Sequence, residues 1–155
     1  MLKLFLLNFV FVTVLCVHGE GCQNGAIDFS DQNECIQAFG SAVSQNSARQ
    51  SCIHLDFFQG QLVQPKNAYE NQQAALLVNP SLLYSNLTYI GVEKLEVNGE
   101  WSYVDGTELV YKNWATNEPS ENPAKSCAAI GVTGDWWTVD CDRELPFICT
   151  YPDNK

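Results

Sequence analysis

The rhythm of apolar and polar positions changes halfway along the chain. Residues 24–39 carry short apolar stretches around a turn and read as paired strands. Residues 44–54 place Ala48 and Cys52 four apart, on one face of a helix. Leu62 and Val63 fit a short strand. Pro65 suits the first turn of a second helix running to about Val78, with Ala74, Leu77 and Val78 as its apolar face; Asn79-Pro80 then ends it. Beyond that point the pattern is one of strands and loops. Residues 87–95 and 101–104 read as strands, with Asn98-Gly99 between them as a hairpin turn, because both residues tolerate positive φ. Residues 108–126 are polar and broken by Pro119 and Pro123, which predicts a long loop. Residues 127–132, 136–140 and 146–151 supply the closing strands. Two helices followed by a β-rich half predict an α+β fold.

One stretch stands outside this pattern. Lys3 precedes an almost wholly apolar run over residues 4–17, and Val17 and Gly19 are small residues ahead of Glu20. A charged start, an apolar run and small residues before a cut are the marks of a secretory signal peptide over residues 1–19, leaving a mature domain over residues 20–155. The run is short for a membrane anchor, and no later segment is apolar for long enough to span a bilayer. Secretion alters the meaning of the cysteines. Of seven, Cys16 falls in the leader; Cys22, Cys35, Cys52, Cys127, Cys141 and Cys149 remain, an even set expected to pair as disulfides. Fifteen pairings are open at this level. A zinc site is disfavoured, because there is no Cys-x-x-Cys and His54 is the single histidine of the mature part.

The formal net charge of −10 becomes −11 once Lys3 leaves with the signal. That opposes nucleic acid and anionic membranes as partners and suits solubility. Asn86-Leu87-Thr88 is an acceptable N-glycosylation sequon, whereas proline spoils Asn79-Pro80-Ser81. Asp135, Asp140, Asp142 and Glu144 could suggest a glycosidase carboxylate pair or a metal site, but the alternating signs of Asp142, Arg143 and Glu144 fit a solvated edge. No serine elbow, zinc-protease helix or phosphate loop is present, so an enzyme is not expected.

Several landmarks, in order, resemble the C-type lectin-like domain. Tyr89-Ile90-Gly91-Val92 is similar to that family's Trp-Ile-Gly-Leu strand. Trp101 to Gly106 resembles its Trp-x-Trp-x-Asp-Gly segment. Asn113-Trp114 and Glu118-Pro119-Ser120 fall where the family has Asn-Trp and Glu-Pro-Asn. The stretch from Gly134 to Cys141, followed by Pro146-Phe147-Ile148-Cys149, matches its closing motifs. The resemblance covers residues 22–151. It implies the C-type lectin-like fold, with helices packed on antiparallel sheets and a long irregular loop. It also implies the bridges Cys22–Cys35, Cys52–Cys149 and Cys127–Cys141.

Sugar-binding members hold calcium with oxygens from the Glu-Pro-Asn motif, from an acid two positions before the next cysteine, and from the Asn-Asp after the closing tryptophan. Calcium takes six to eight oxygen ligands, so losses from this set matter. Here Glu118 and Pro119 match, and the proline would supply the family's cis bond. Ser120 replaces Asn, Lys125 stands where the acid should be, and Trp137 and Thr138 replace Asn-Asp. A cation at Lys125 repels a dication, so no metal cofactor is expected, with Glu118 the remaining weak candidate. Lys125 could instead pair with Glu118, or be solvated; Glu121 could shift towards the gap. Trp137 is expected to face the loop surface, while Trp136 is expected in the core, and Trp114, Tyr103 and Tyr111 to be structural. The expectation is a secreted recognition module. It would bind a glycan or protein through Glu118, Ser120, Glu121, Lys125, Trp137 and Thr138. A calcium-dependent lectin is the main alternative and a secreted glycan hydrolase a weaker one.

Overall fold

The computed structural model describes residue 22 and residues 26–29, 34–55, 59–96 and 99–153. The signal segment and Asn98 of the expected hairpin lie outside the described residues. Strand β1 (Ile27–Phe29) pairs antiparallel with β2 (Glu34–Val43). The helix α1 (Gln45–Ile53) starts where Ser44 adopts an extended conformation and its hydroxyl accepts from the Ser47 amide, satisfying one of the donors a helix start leaves unpaired. Ala48 and Cys52 form its buried face, as their spacing predicts.

The second helix begins later than expected. Strand β3 (Gln61–Leu62) is followed by an extended segment containing Pro65, and α2 (Ala68–Leu76) is capped by Asn67. Asn67 Oδ1 accepts from the Glu70 amide at 2.9 Å, and the Glu70 carboxylate reaches back to the Lys66 amide at 2.6 Å. This reciprocal cap, rather than Pro65, sets the start. Asn79-Pro80 ends one helix and also opens another. Asn79 accepts from the Ser81 amide and Pro80 occupies the first position of α3 (Pro80–Leu83). Proline lacks an N–H that the first turn leaves unused anyway, so it is as good a start as a stop. The molecule therefore has three helices among its described residues, not two.

Strands β4 (Leu87–Glu93), β5 (Ser102–Tyr103), β6 (Cys127–Gly131), β7 (Trp136–Val139) and β8 (Leu145–Pro152) complete the sheet. Its order is β1-β2-β8-β4-β6-β7, with β3 pairing β8 and β5 pairing β4. The β4–β8 contact is parallel and the other pairings are antiparallel, so the sheet is mixed. Gly91 makes the crowded centre possible. Its amide donates to Val63 O at 2.7 Å, and a Cβ there would come within 2.6 Å of the Leu62 carbonyl oxygen.

Two apolar clusters hold the layers together. One gathers Ile36, Val63, Ala74, Ile90, Ile130, Trp136 and Ile148 between α2 and the sheet. The other gathers Ala48, Leu62, Tyr89, Phe147 and the Cys52–Cys149 bridge beside α1. The three bridges are those the resemblance implies: Cys22–Cys35, Cys52–Cys149 and Cys127–Cys141. An ion pair adds a polar tie. Glu93 on β4, largely buried, accepts from Arg49 at 3.2 Å and Gln45 at 3.0 Å on α1, while Arg49 also donates to Val104 O at 2.6 Å.

Candidate functional site

The segment between β5 and β6 is the long irregular loop, and backbone bonds to β7 fix its base. Trp136 N–H donates to Asn113 O at 2.8 Å and Ala115 N–H to Trp136 O at 2.9 Å. Aromatic rings fill the space beneath. Trp136 is fully buried; Trp114 and Tyr111 meet it edge-on at 5.6 and 5.7 Å, and Trp101 packs on Trp114 at 4.8 Å. Edge-to-face contacts suit the charge distribution of aromatic rings. Trp136, Trp114, Tyr103 and Tyr111 thus have the structural placement their positions predict.

A buried asparagine orients that core. Asn71 on α2 accepts from the Trp136 indole N–H at 2.7 Å and donates to Gly134 O at 2.9 Å; Asn113 donates to the same carbonyl at 2.8 Å. Gly134 has φ +88°, and a Cβ there would sit 2.9 Å from Asn71 Nδ2, so both conformation and space call for glycine. Sequence reasoning passes over Asn71. Its signal is a polar residue three before Ala74, on the buried face of α2. Tyr89 plays a similar part beside the other cluster. Its hydroxyl donates towards the Arg143 carbonyl at 2.6 Å, and burial pushes its pKa up to about 12.

At the tip, Asn117 takes a left-handed conformation and the Glu118–Pro119 peptide bond is cis. One carboxylate oxygen of Glu118 accepts from the Ser120 amide at 2.9 Å, from the Thr138 amide at 3.1 Å, and from the Thr138 hydroxyl. The Ser120 amide also reaches the Thr138 hydroxyl oxygen at 3.3 Å. Ser120 Oγ accepts from the Asn122 amide at 3.2 Å, which folds the next turn back on itself. Glu118, Ser120 and Thr138 are therefore brought together, with Thr138 buried on β7.

The remaining candidates stand apart from this knot. Among the described residues the ion pair is Arg49–Glu93, so Glu118 is tied by Thr138 and the backbone rather than by Lys125. Lys125 is half-buried in the loop, its amide donating to Asn122 O at 2.9 Å, and Glu121 is exposed. Trp137 does not face the loop surface as expected. Successive side chains on a strand point to opposite faces, so the residue between Trp136 and Thr138 must point away from them both. Trp137 lies over Gly131, where a Cβ would approach its Nε1 to 3.5 Å, and lines a depression with Asn86, Leu87 and Val132. The acids that could have made a second cluster do other work or face solvent. Asp135 accepts from the Trp137 indole at 2.9 Å, Asp140 accepts from the Asp142 amide, and Asp142 and Glu144 are exposed.

Fold, bridges and cis-proline loop define a lectin-like binding domain, and the chain belongs to the lectin C-type domain family, whose sequence model matches residues 41–151. It is 33% identical over 87 residues to chicken mannose-binding protein, covering 56% of this chain and 33% of that protein. It is 28% identical over 123 residues to mouse tetranectin, covering 76% and 59%. The chain thus spans between a third and three fifths of the length of these curated relatives. Among solved structures it is similar to the carbohydrate-recognition domain of the mouse scavenger receptor C-type lectin, with a TM-score of 0.75, 23% identity and coverage of 86% and 98%. It is also similar to a calcium-independent type II antifreeze protein, with a TM-score of 0.71, 21% identity and coverage of 84% and 94%. These likenesses establish the fold. Among the described residues no helix is long and apolar enough to cross a membrane.

Proposed function

We propose that this chain is a secreted recognition module that binds a glycan or protein ligand through its long loop, without calcium at the position the Glu-Pro motif marks. The observation that carries this reading is the bonding of Glu118. One of its oxygens accepts three hydrogen bonds, from the Ser120 amide and from the amide and hydroxyl of Thr138. Hydrogen bonds to a carboxylate stabilise its charge, so the loop holds Glu118 without a cation.

The donor set does not fit calcium. The ion needs six to eight oxygens, several of them charged. The side chains gathered beside Glu118, Ser120 and Thr138, bring neutral oxygens, and the Thr138 hydroxyl already donates to Glu118. Trp137 turns its indole to another face, and Lys125 brings positive charge to the loop. Among the described residues, the group of three His, Cys, Asp or Glu side chains close enough to share a metal is Cys22, Cys35 and Asp153, and its two cysteines are bridged to each other.

A polar ligand fits such a loop. Ser120, Glu121 and Lys125 offer hydroxyl, carboxylate and ammonium groups in one short stretch, next to a Glu118 already fixed in place. The names of the chicken relative and of the mouse receptor domain speak for sugars among the relatives, and the antifreeze protein shows that a similar fold can be calcium-independent. The test is a glycan array run once with calcium and once with chelator. The expected result is the same set of bound glycans in both. Binding that disappears with chelator contradicts the proposal, and a blank array counts against a glycan and shifts weight to a protein ligand.

A further inference from the structure

We infer that a glycan attached to Asn86 folds back across the neighbouring depression and rests its first N-acetylglucosamine on Trp137. This rests on the same reading of the chain as secreted, since such glycans are added on the export route. Two independent observations lead to it.

The first is the hydroxyl of Thr88. It is fully buried at the start of β4 and has no hydrogen-bond partner. A buried hydroxyl without a partner costs stability, and valine would fill the same space without that cost. The sequon supplies a use for it, because Asn86-Leu87-Thr88 needs a hydroxyl at its third position; Thr150, whose buried hydroxyl also lacks a partner, stands in no sequon. Burial of Thr88 also implies that the sugar is added before β4 closes into the sheet.

The second is the depression beside Asn86. Asn86 is exposed and lines this open surface depression together with Leu87, Val132 and Trp137. Trp137 is 39% exposed and Val132 50%. The indole is held in one orientation, because Asp135 accepts from its N–H at 2.9 Å and also from the Thr133 hydroxyl. An oriented indole with apolar neighbours and a carboxylate at its edge suits a sugar ring, which has an apolar C–H face and polar edges. Tethering through Asn86 gives a high effective concentration, so a weak contact suffices.

The test uses the protein secreted from a glycosylating eukaryotic cell. Intact mass first reports whether Asn86 carries sugar. An endoglycosidase then trims the glycan to a single N-acetylglucosamine, and the indole N–H signal of Trp137, assigned with Trp137→Phe, is compared with that of Thr88→Val. Thr88→Val removes the sequon without touching the depression and is expected to fold at least as stably. The expected results are a clear shift of the Trp137 signal between the two proteins, with contacts from sugar protons to the indole. Full glycosylation with an unchanged Trp137 signal overturns the docking alone. An unmodified Asn86 in secreted protein also overturns it, while leaving secretion and the loop site intact. Failure of the chain to be exported at all overturns both readings together.

Discussion

Thr138 carries more of the loop's organisation than its small side chain suggests. Its hydroxyl and its amide both donate to Glu118, so one residue of β7 fixes the tip of a loop that leaves the sheet 35 residues earlier in the chain, at Tyr103. Thr138→Val keeps shape and strand preference and removes the hydroxyl. Hydrogen bonds to charged groups contribute about 1.5–3 kcal/mol, and with part of Glu118 facing solvent the expected loss is about 1–2 kcal/mol in urea denaturation. Asn71→Ala should cost about 1–3 kcal/mol in the same measurement, because it strands the Trp136 indole N–H in the core. These two residues differ in how far the sequence reveals them. Glu118 and Thr138 are found by counting from Cys127 and Cys141 along a recognisable motif. Trp137 is found the same way and then assigned to the wrong surface, because a motif fixes position while the two-residue period of the strand fixes direction. Asn71 belongs to no motif, and a polar residue beside Ala74 and Ala75 on the buried face of α2 is a faint signal.

Elements are legible where their chemistry is local. Ser44 caps α1, and the loop after β5 is long because proline and polar residues interrupt it. The errors come where one residue serves two purposes. Pro65 suits a helix start, yet Asn67 and Glu70 form the cap two residues on; Pro80 stops α2 and opens α3. The pairing of β4 with β8 in parallel depends on residues nearly 60 positions apart, which no local pattern reveals. The α2 cap also bears on pH. Burial raises the pKa of Glu34, with Lys66 opposing the rise and Glu70 adding to it. A carboxyl whose folded pKa lies above its unfolded one favours the folded state below the unfolded pKa, and that advantage is lost as pH rises through the folded value. Glu34→Gln removes the penalty of ionisation. It should therefore melt at a higher temperature than wild type at pH 7, with the difference closing below about pH 4. Equal melting at both pH values would contradict this account of Glu34.

At the scale of the whole molecule, three bridges and two apolar clusters give a rigid frame, and the loop is fastened to it from one side. Cys52–Cys149 closes a separation of 97 residues and Cys127–Cys141 one of 14. Chain-entropy reasoning ranks the first above the second, on the order of 4–5 against about 3 kcal/mol. Cys127 and Cys141 flank the hairpin that presents Thr138, so the shorter bridge secures the strand that holds Glu118. The frame is that of the family, while the tip of the loop is held by hydrogen bonds within the chain. The most direct test is a calorimetric calcium titration of the disulfide-intact protein. The account predicts no saturable heat into the low millimolar range and no change in melting temperature. Saturable one-to-one binding in the micromolar range, abolished in Glu118→Gln, would contradict it.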